Sequence, residues 1–419
     1  MQFENSLDFA TKMDQNDSLS HFRSEFFIPQ HEGKDSVYLT GNSLGLQPKK
    51  VIEHIQQELK DWATYGVEGH FDGKNPWFYY HKFFAESTAR IVGANPQEVV
   101  VMNNLTVNLH LMMVSFYRPT PTRYKIIMEG GAFPSDQYAM ESQAKFHGFE
   151  YEDAVIEINP REGEYALRTE DILRTIEEHS DTAALVMFSG VQYYTGQAFD
   201  MQAITAKAHE VGALAGFDLA HAAGNLDLKL HDWDVDFAVW CSYKYMNSGP
   251  GGVSGTFVHE RHANNPDLPR FAGWWGHNES ERFLMKKGFI PEYGAAGWQL
   301  SNAPVMAMAV HRASLDIFDQ VTMASLNEKS VPLNGYLQFI VEDTAKENKD
   351  LSFVIITPEE RGCQLSVLTG DNGKNLFDHL TKRGVIADWR EPNVIRMAPV
   401  PLYNSFLDIY RFGQILKSV

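Results

Sequence analysis

Five apolar, β-prone runs recur through the middle of the chain, and segments patterned as amphipathic helices separate them. The runs are EVVVMNN (Glu98 to Asn104), RYKIIMEGG (Arg123 to Gly131), AALVMFSGV (Ala183 to Val191), ALAGFDLAH (Ala213 to His221) and VDFAVWCSY (Val235 to Tyr243). LTVNLHLMMVSFY, SDQYAMESQAKFHG and MQAITAKAHEVG read as helices. Gly148 stops the second; Asp200 can cap the third and Gly212 ends it. This alternation predicts parallel strands joined by crossover helices. The runs are apolar almost throughout, as strands are when both faces of a sheet are covered. In such sheets ligands collect at the carboxyl ends of the strands.

A chain of 419 residues is long for one core. SVLTGDNGKNLFDHLTKRGVIADWREPNVIRMAPVPLYNSFLDIYRF repeats the alternation in a smaller unit. We expect an α/β protein with a large domain over residues 50–310 and a small α/β domain built from 1–49 and 311–419. A net charge of −18 works against a nucleic-acid surface, which needs clustered Lys and Arg. Two cysteines, Cys241 and Cys363, make no disulfide framework for a chain this long and point to a reducing compartment. MQFENSLDFATKMDQNDS has no basic segment followed by an apolar run. No apolar run approaches the ~20 residues of a membrane helix. The expectation is a cytoplasmic protein. No Cys/His cluster has zinc-ligand spacing, so no metal is expected.

Each run ends in polar residues. After the first come Asn103, Asn104, Leu105 and Thr106 at a helix start, where free N–H groups and a hydroxyl make a phosphate seat. After the second come Phe133, Pro134, Ser135 and Asp136; after the third, Ser189. After the fourth comes Asp218, with His221 three residues on; after the fifth, Tyr243, Lys244 and the glycine-rich SGPGG. A phosphate seat, an aromatic face, a carboxylate and a lysine are what pyridoxal 5′-phosphate requires. The amine binds it covalently, the carboxylate keeps the pyridine nitrogen protonated, and the aromatic ring stacks on it. Twenty-six residues separate Asp218 from Lys244, room for one loop and one strand. Singly, these residues have plainer readings. A lysine after a strand is commonly solvated, an aspartate caps a turn, and a histidine or phenylalanine is structural. Their succession at consecutive strand ends sets them apart.

MNNLTVNLHLMM, FPSDQYA, FDLAHAAGN and WCSYKYMNSGPGG resemble segments of kynureninases, pyridoxal-phosphate enzymes of fold type I. TGNSLGLQPK, GWWGH, SNAPV and IRMAPVPLYNSF extend the resemblance from about Leu39 to Phe412. The Asp…Lys pair is shared by many fold-type-I enzymes; LTVNLHLMM and RMAPVPLYNSF are more particular to this family. The resemblance implies a mostly parallel central sheet with flanking helices and a smaller C-terminal α/β domain. It makes Lys244 the covalent attachment point and sets Asp218 against the pyridine nitrogen, with Asp136 and His221 close by. Phe133 stacks on the ring, with Pro134 and Ser135 beside it. Leu105 (by its backbone), Thr106, Ser189 and Tyr243 take the phosphate end. Trp274 and Asn302 look like the residues that the family sends across a homodimer interface. Arg396 looks like the clamp for the substrate α-carboxylate, a task suited to a planar fork of donors. Ser43 helps close the substrate pocket or simply forms a turn. Trp275 stands where some members carry phenylalanine, and is expected beside the substrate.

The activity implied is hydrolytic Cβ–Cγ cleavage of L-kynurenine, 3-hydroxy-L-kynurenine or both, giving L-alanine and the matching anthranilate, within tryptophan degradation and NAD biosynthesis. Lys244, Tyr243 and Asp218 are the expected catalytic groups, with Lys244 as base and Tyr243 as proton relay. His70 and Asn302 would flank the aryl ring and bond a 3-hydroxyl. A site built for that hydroxyl penalises a substrate lacking it, so 3-hydroxykynurenine is the expected preference. Two alternatives stay open: another class V enzyme (an aminotransferase or cysteine desulfurase), and a non-catalytic protein that kept the fold. Neither cysteine fits a desulfurase loop, and the joint presence of Lys244, Asp218 and Arg396 argues against a dead scaffold.

Overall fold

Seven strands build the central sheet: β1 (Val99–Met102), β2 (Lys125–Glu129), β3 (Val155–Ile158), β4 (Ala183–Ser189), β5 (Leu214–Asp218), β6 (Phe237–Cys241) and β7 (Ser254–Val258). Their order is β1-β7-β6-β5-β4-β2-β3 in a computed structural model that describes residues 2–263, 265–348 and 351–418. The five apolar runs supply β1, β2, β4, β5 and β6. Two strands were not read from the sequence. β3 (VIEI) is a short edge strand with a glutamate inside it. β7 (SGTFV) follows the glycine-rich loop and runs antiparallel to both neighbours, β6 and β1. Its Gly255 makes room for the Trp240 indole; a Cβ there would lie 2.2 Å from the ring. The other pairings are parallel.

Alternate residues of the strands feed two apolar layers, one on each face. Val99, Val101, Ile127, Val186, Phe188, Phe217 and Trp240 enter one; Val100, Met102, Ile126, Met128, Leu185, Met187 and Val239 enter the other. This explains runs with no polar alternation. Helices α1 (Leu105–Phe116), α2 (Pro134–Phe146), α3 (Thr169–Glu178) and α4 (Met201–Glu210) lie along the sheet connections. Asn104 caps α1 by accepting from the Val107 amide, and Asp200 caps α4 by accepting from the Ala203 amide. Gly148 and Gly212, at φ 84° and 76°, turn the chain after α2 and α4.

A third apolar cluster joins Ala10, Val37 and Leu39 to residues between Leu333 and Leu416. It packs on an antiparallel sheet of β8 (Phe353–Ile355), β9 (Leu365–Thr369), β10 (Asp388–Arg390) and β11 (Val394–Met397), ordered β8-β9-β11-β10. Val37–Tyr38 pairs in parallel with Val385–Ile386, which ties the N-terminal stretch to this unit. Among the described residues no helix is long and apolar enough to cross a membrane.

Candidate active site

The carboxyl ends of β4, β5 and β6 lie side by side, with Asp218 paired to Ser189 on one flank and Val239 on the other. A cavity of about 210 Å³ opens there. Leu105, Thr106, Phe133, Ser135, Asp136, Ser189, Asp218, His221, Tyr243 and Lys244 line it, all expected from the sequence. Val191, Tyr193, Ala220 and Cys241 complete the wall. Pro134 opens α2 and is not part of the lining.

Lys244 Nζ lies 2.9 Å from His221 Nε2 and 5.9 Å from the centroid of the Phe133 ring. Burial, then the charge of Lys244, holds His221 far below the ordinary imidazole range, so the ring is neutral and its Nε2 accepts from Lys244. Asp218 Oδ1 accepts from the Ala220 amide at 2.7 Å. Asp136 faces Asp218 at hydrogen-bond range, and burial followed by the Asp218 charge drives its carboxyl well above the usual value. Burial raises Asp218 too, but Lys244 and the Ala220 amide oppose the rise. The two acids titrate as a pair, and the Ala220 amide and Lys244 favour the charge on Asp218. Burial also raises Tyr243, whose hydroxyl stays protonated.

Helix α1 starts at the cavity wall. The Asn104 carbonyl takes the Asn108 amide and its side chain takes the Val107 amide. The amides of Leu105 and Thr106 precede the first intrahelical acceptor, so they remain for an anion. Ser189 is placed differently from its expected phosphate-end partners. It neighbours Asp218 on the sheet and donates its hydroxyl proton to Glu129.

Arg396 and Ser43 do not line the cavity but meet beside it. Arg396 is 1% exposed and donates through Nη1 to the Tyr193 carbonyl at 2.6 Å. Asp388, its cross-strand partner, pairs with the guanidinium and accepts from Ser43 Oγ at 2.5 Å. Tyr193 carries this group to the cavity and meets Phe133 edge-on at 5.1 Å. Tyr193 and Asp388 were missed in the sequence. Tyr193 lies only four residues past Ser189, in VQYYTG, where an aromatic pair after a strand end was the available signal.

His70, Trp274, Trp275 and Asn302 lie off the cavity wall. Rings link three of them: His70 to Trp77 and Phe71, Phe71 to Phe78, Phe78 to Trp275 and to Phe283, and Phe283 to Trp274. Phe71, Phe283 and Trp274 are 52%, 52% and 44% exposed, so the chain leaves an aromatic face open. Trp275 sits beneath it, buried between Phe78 and the Arg282 guanidinium. Asn302 is exposed.

The aminotransferase class-V family matches residues 37–338, and the kynureninase C-terminal domain matches residues 326–416. The kynureninase of Flavobacterium psychrophilum is 57% identical over 420 aligned residues, covering 100% of this chain and 99% of that protein. The chain belongs to the kynureninase family. The kynureninase of Mus musculus is 48% identical, covering 98% and 92% of the two chains. Members of the kynureninase family are pyridoxal-phosphate-dependent hydrolases of carbon–carbon bonds, and this chain is such an enzyme. The fold is also that of more distant proteins. The cysteine desulfurase CsdA of Escherichia coli superposes with a TM-score of 0.77 at 16% identity, covering 96% of this chain and 98% of its own.

The cavity fits pyridoxal 5′-phosphate on its own chemistry. Asp136 Oδ1 and His221 Nδ1 are buried without partners. Among the described residues Asp218 joins no ion pair, and a protonated pyridine nitrogen would give it one. Phe133 offers a 44%-exposed ring face, and the start of α1 offers unused N–H donors.

Proposed function

We propose that the chain cleaves the Cβ–Cγ bond of L-kynurenine and 3-hydroxy-L-kynurenine with water, releasing L-alanine and anthranilate or 3-hydroxyanthranilate, with 3-hydroxykynurenine preferred. One observation carries the reading. Lys244 and Asp218 share a cavity with a helix start, and the buried Arg396 guanidinium lies one aromatic ring away.

Lys244, Asp218, Phe133 and the α1 start, with Thr106 and Tyr243, would hold the cofactor. When bound, it supplies an electron sink for charge developing at the substrate's Cα and Cβ. The Lys244 amine takes the substrate α-proton, steered by its bond to neutral His221. Asp218 keeps a fixed negative charge where the ring nitrogen needs it. Tyr243, held protonated by burial, donates toward the substrate carbonyl. Arg396 Nε is buried with no partner and is a donor ready for the α-carboxylate.

The open aromatic face supports a homodimer. A second copy covering it would bring Trp274, Asn302 and His70 to the partner's cavity. There His70 and Asn302 would bond the substrate's 3-hydroxyl, and Trp275 would support the face from below. We retain 50–310 and 1–49 with 311–419 as the domain division, and place the enzyme in the cytoplasm, in tryptophan breakdown and NAD biosynthesis.

Product analysis tests the reaction. With each kynurenine and no keto acid added, alanine and the matching anthranilate should appear in equal amounts. A requirement for a keto acid would make the enzyme an aminotransferase and sink the proposal. The ratio of kcat/KM for the two substrates tests the hydroxyl contacts, and a strong preference for kynurenine would overturn them.

A further inference from the structure

Ser189 gives its hydroxyl proton away from the cavity that it lines. Its Oγ lies 2.5 Å from Oε1 of Glu129, and its amide lies 3.2 Å from both Glu129 oxygens. A hydroxyl has one proton, so Ser189 meets a ligand with lone pairs only. Glu129 is 2% exposed and closes β2, the strand beside β4. Glu129, Ser189 and Asp218 therefore form a row across three neighbouring strand ends. Among the described residues Glu129 joins no ion pair, and the carboxylate of Asp218 adds to its burden. Tying down a strand end needs no buried carboxylate; an amide would do so at lower cost.

We infer that Glu129 is a positioning residue for the cofactor: it fixes Ser189 as an acceptor toward a hydrogen-bond donor on the pyridine ring, so that Ser189 serves the ring beside Asp218 and not the phosphate. The inference rests on the reading that the ring lies against Asp218. Glu129 holds Ser189 in this role as the carboxylate; as the neutral acid it would donate to Ser189 instead. Burial pushes the Glu129 carboxyl up to about 7, against the lowering effect of the Ser189 bonds. The titratable groups facing it are Asp218 on β5 and Asp136 on α2. Because the folded value lies above the unfolded one, Glu129 contributes its stability below about pH 4.5 and loses it as pH rises through 7.

The test titrates apoenzyme with pyridoxal 5′-phosphate, and then with pyridoxal, by quenching of tryptophan fluorescence. E129L should weaken binding about ten- to a hundred-fold, the range for a hydrogen bond to a charged group. S189A should cost about as much, and E129L/S189A no more than S189A alone. E129Q, which keeps an acceptor, should bind within a few-fold of wild type at pH 6. Its apoenzyme Tm should gain on wild type as pH rises from 5 to 8. The E129L and S189A losses should persist with pyridoxal, which has no phosphate. Wild-type binding by E129L, additive losses in the double variant, or a penalty confined to the phosphorylated probe would overturn the inference. If E129L fails to fold, the E129Q series decides, and no pH-dependent Tm difference refutes it. D218N separates the two readings. If it leaves affinity and the visible spectrum unchanged, the ring placement fails; if it alters them while E129L is silent, only the role of Glu129 fails.

Discussion

Two neighbouring strands carry buried aspartates at opposite ends, Asp236 just before β6 and Asp218 closing β5, and the two are treated in opposite ways. Asp236 is 0% exposed and fully paired. It accepts from His209, His262, Arg261 and the Ala215 amide at 2.9, 2.6, 2.5 and 2.7 Å. Those bonds outweigh its desolvation, and its pKa is lowered. At the carboxyl end, Asp218, Asp136 and Glu129 are buried together and all are raised. Lys244 offsets Asp218 and Asp136 in part, and two polar atoms beside them lack partners. One cluster is finished by the chain itself. The other is complete only with a ligand, and functional sites are where such unfinished electrostatics gather.

The sharpest way to break this contrast is to delete one charge at each end. Lys244→Ala should cut turnover by at least ~10³-fold, since it removes both the covalent anchor and the base. The unfolding free energy of the apoenzyme in urea should move little, by no more than about 1 kcal/mol, because Asp218 can take up a proton instead. A variant that unfolds instead would mean that Lys244 is structural. Asp236→Ala should do the reverse. Breaking a satisfied buried network costs about 3–5 kcal/mol. Turnover per folded molecule should stay at the wild-type level, and a loss of turnover in the folded fraction would erase the distinction.

The same contrast explains what could be read from the sequence. Lys244, Asp218 and Phe133 were legible because a parallel sheet forces strand-end residues to one edge, and the strands are obvious from their apolar runs. Glu129 was hidden although it also ends a strand, because nothing local marks a carboxylate as buried. Asp388 and Tyr193 were hidden because their roles depend on a cross-strand pairing and a loop path. β7 was missed because SGTFV is short and its second residue is a glycine whose purpose, room for Trp240, exists only in three dimensions. The aromatic face was half legible. Trp274 stood out within GWWGH, but its link to His70 through Phe78 and Phe283 joins segments about two hundred residues apart.

Two buried histidines sharpen the comparison, since they belong to neither cluster. His311 is 0% exposed with no partner on either ring nitrogen, and His81 is 6% exposed with Nδ1 unpaired. Burial pulls both down to about 3. The unfolded chain, with ordinary histidines near 6.5, therefore binds more protons than the folded one between pH 6.5 and 3. Stability is full above pH 6.5 and falls as the pH drops. At pH 5 the loss is about 2 kcal/mol from each residue, at ~1.4 kcal/mol per pH unit. Asp236 adds nothing in that window, because a depressed carboxylate yields only below its unfolded value near 4. Glu129 works in the opposite direction between pH 7 and 4.5, so the histidine share is read as the difference from wild type in unfolding free energy at pH 7, 6 and 5. His311→Leu should gain about 2 kcal/mol on wild type between pH 7 and pH 5, the share of that one ring. No gain in His311→Leu would show that the acid sensitivity comes from the carboxylates, and that the paired cluster is less finished than its hydrogen bonds suggest.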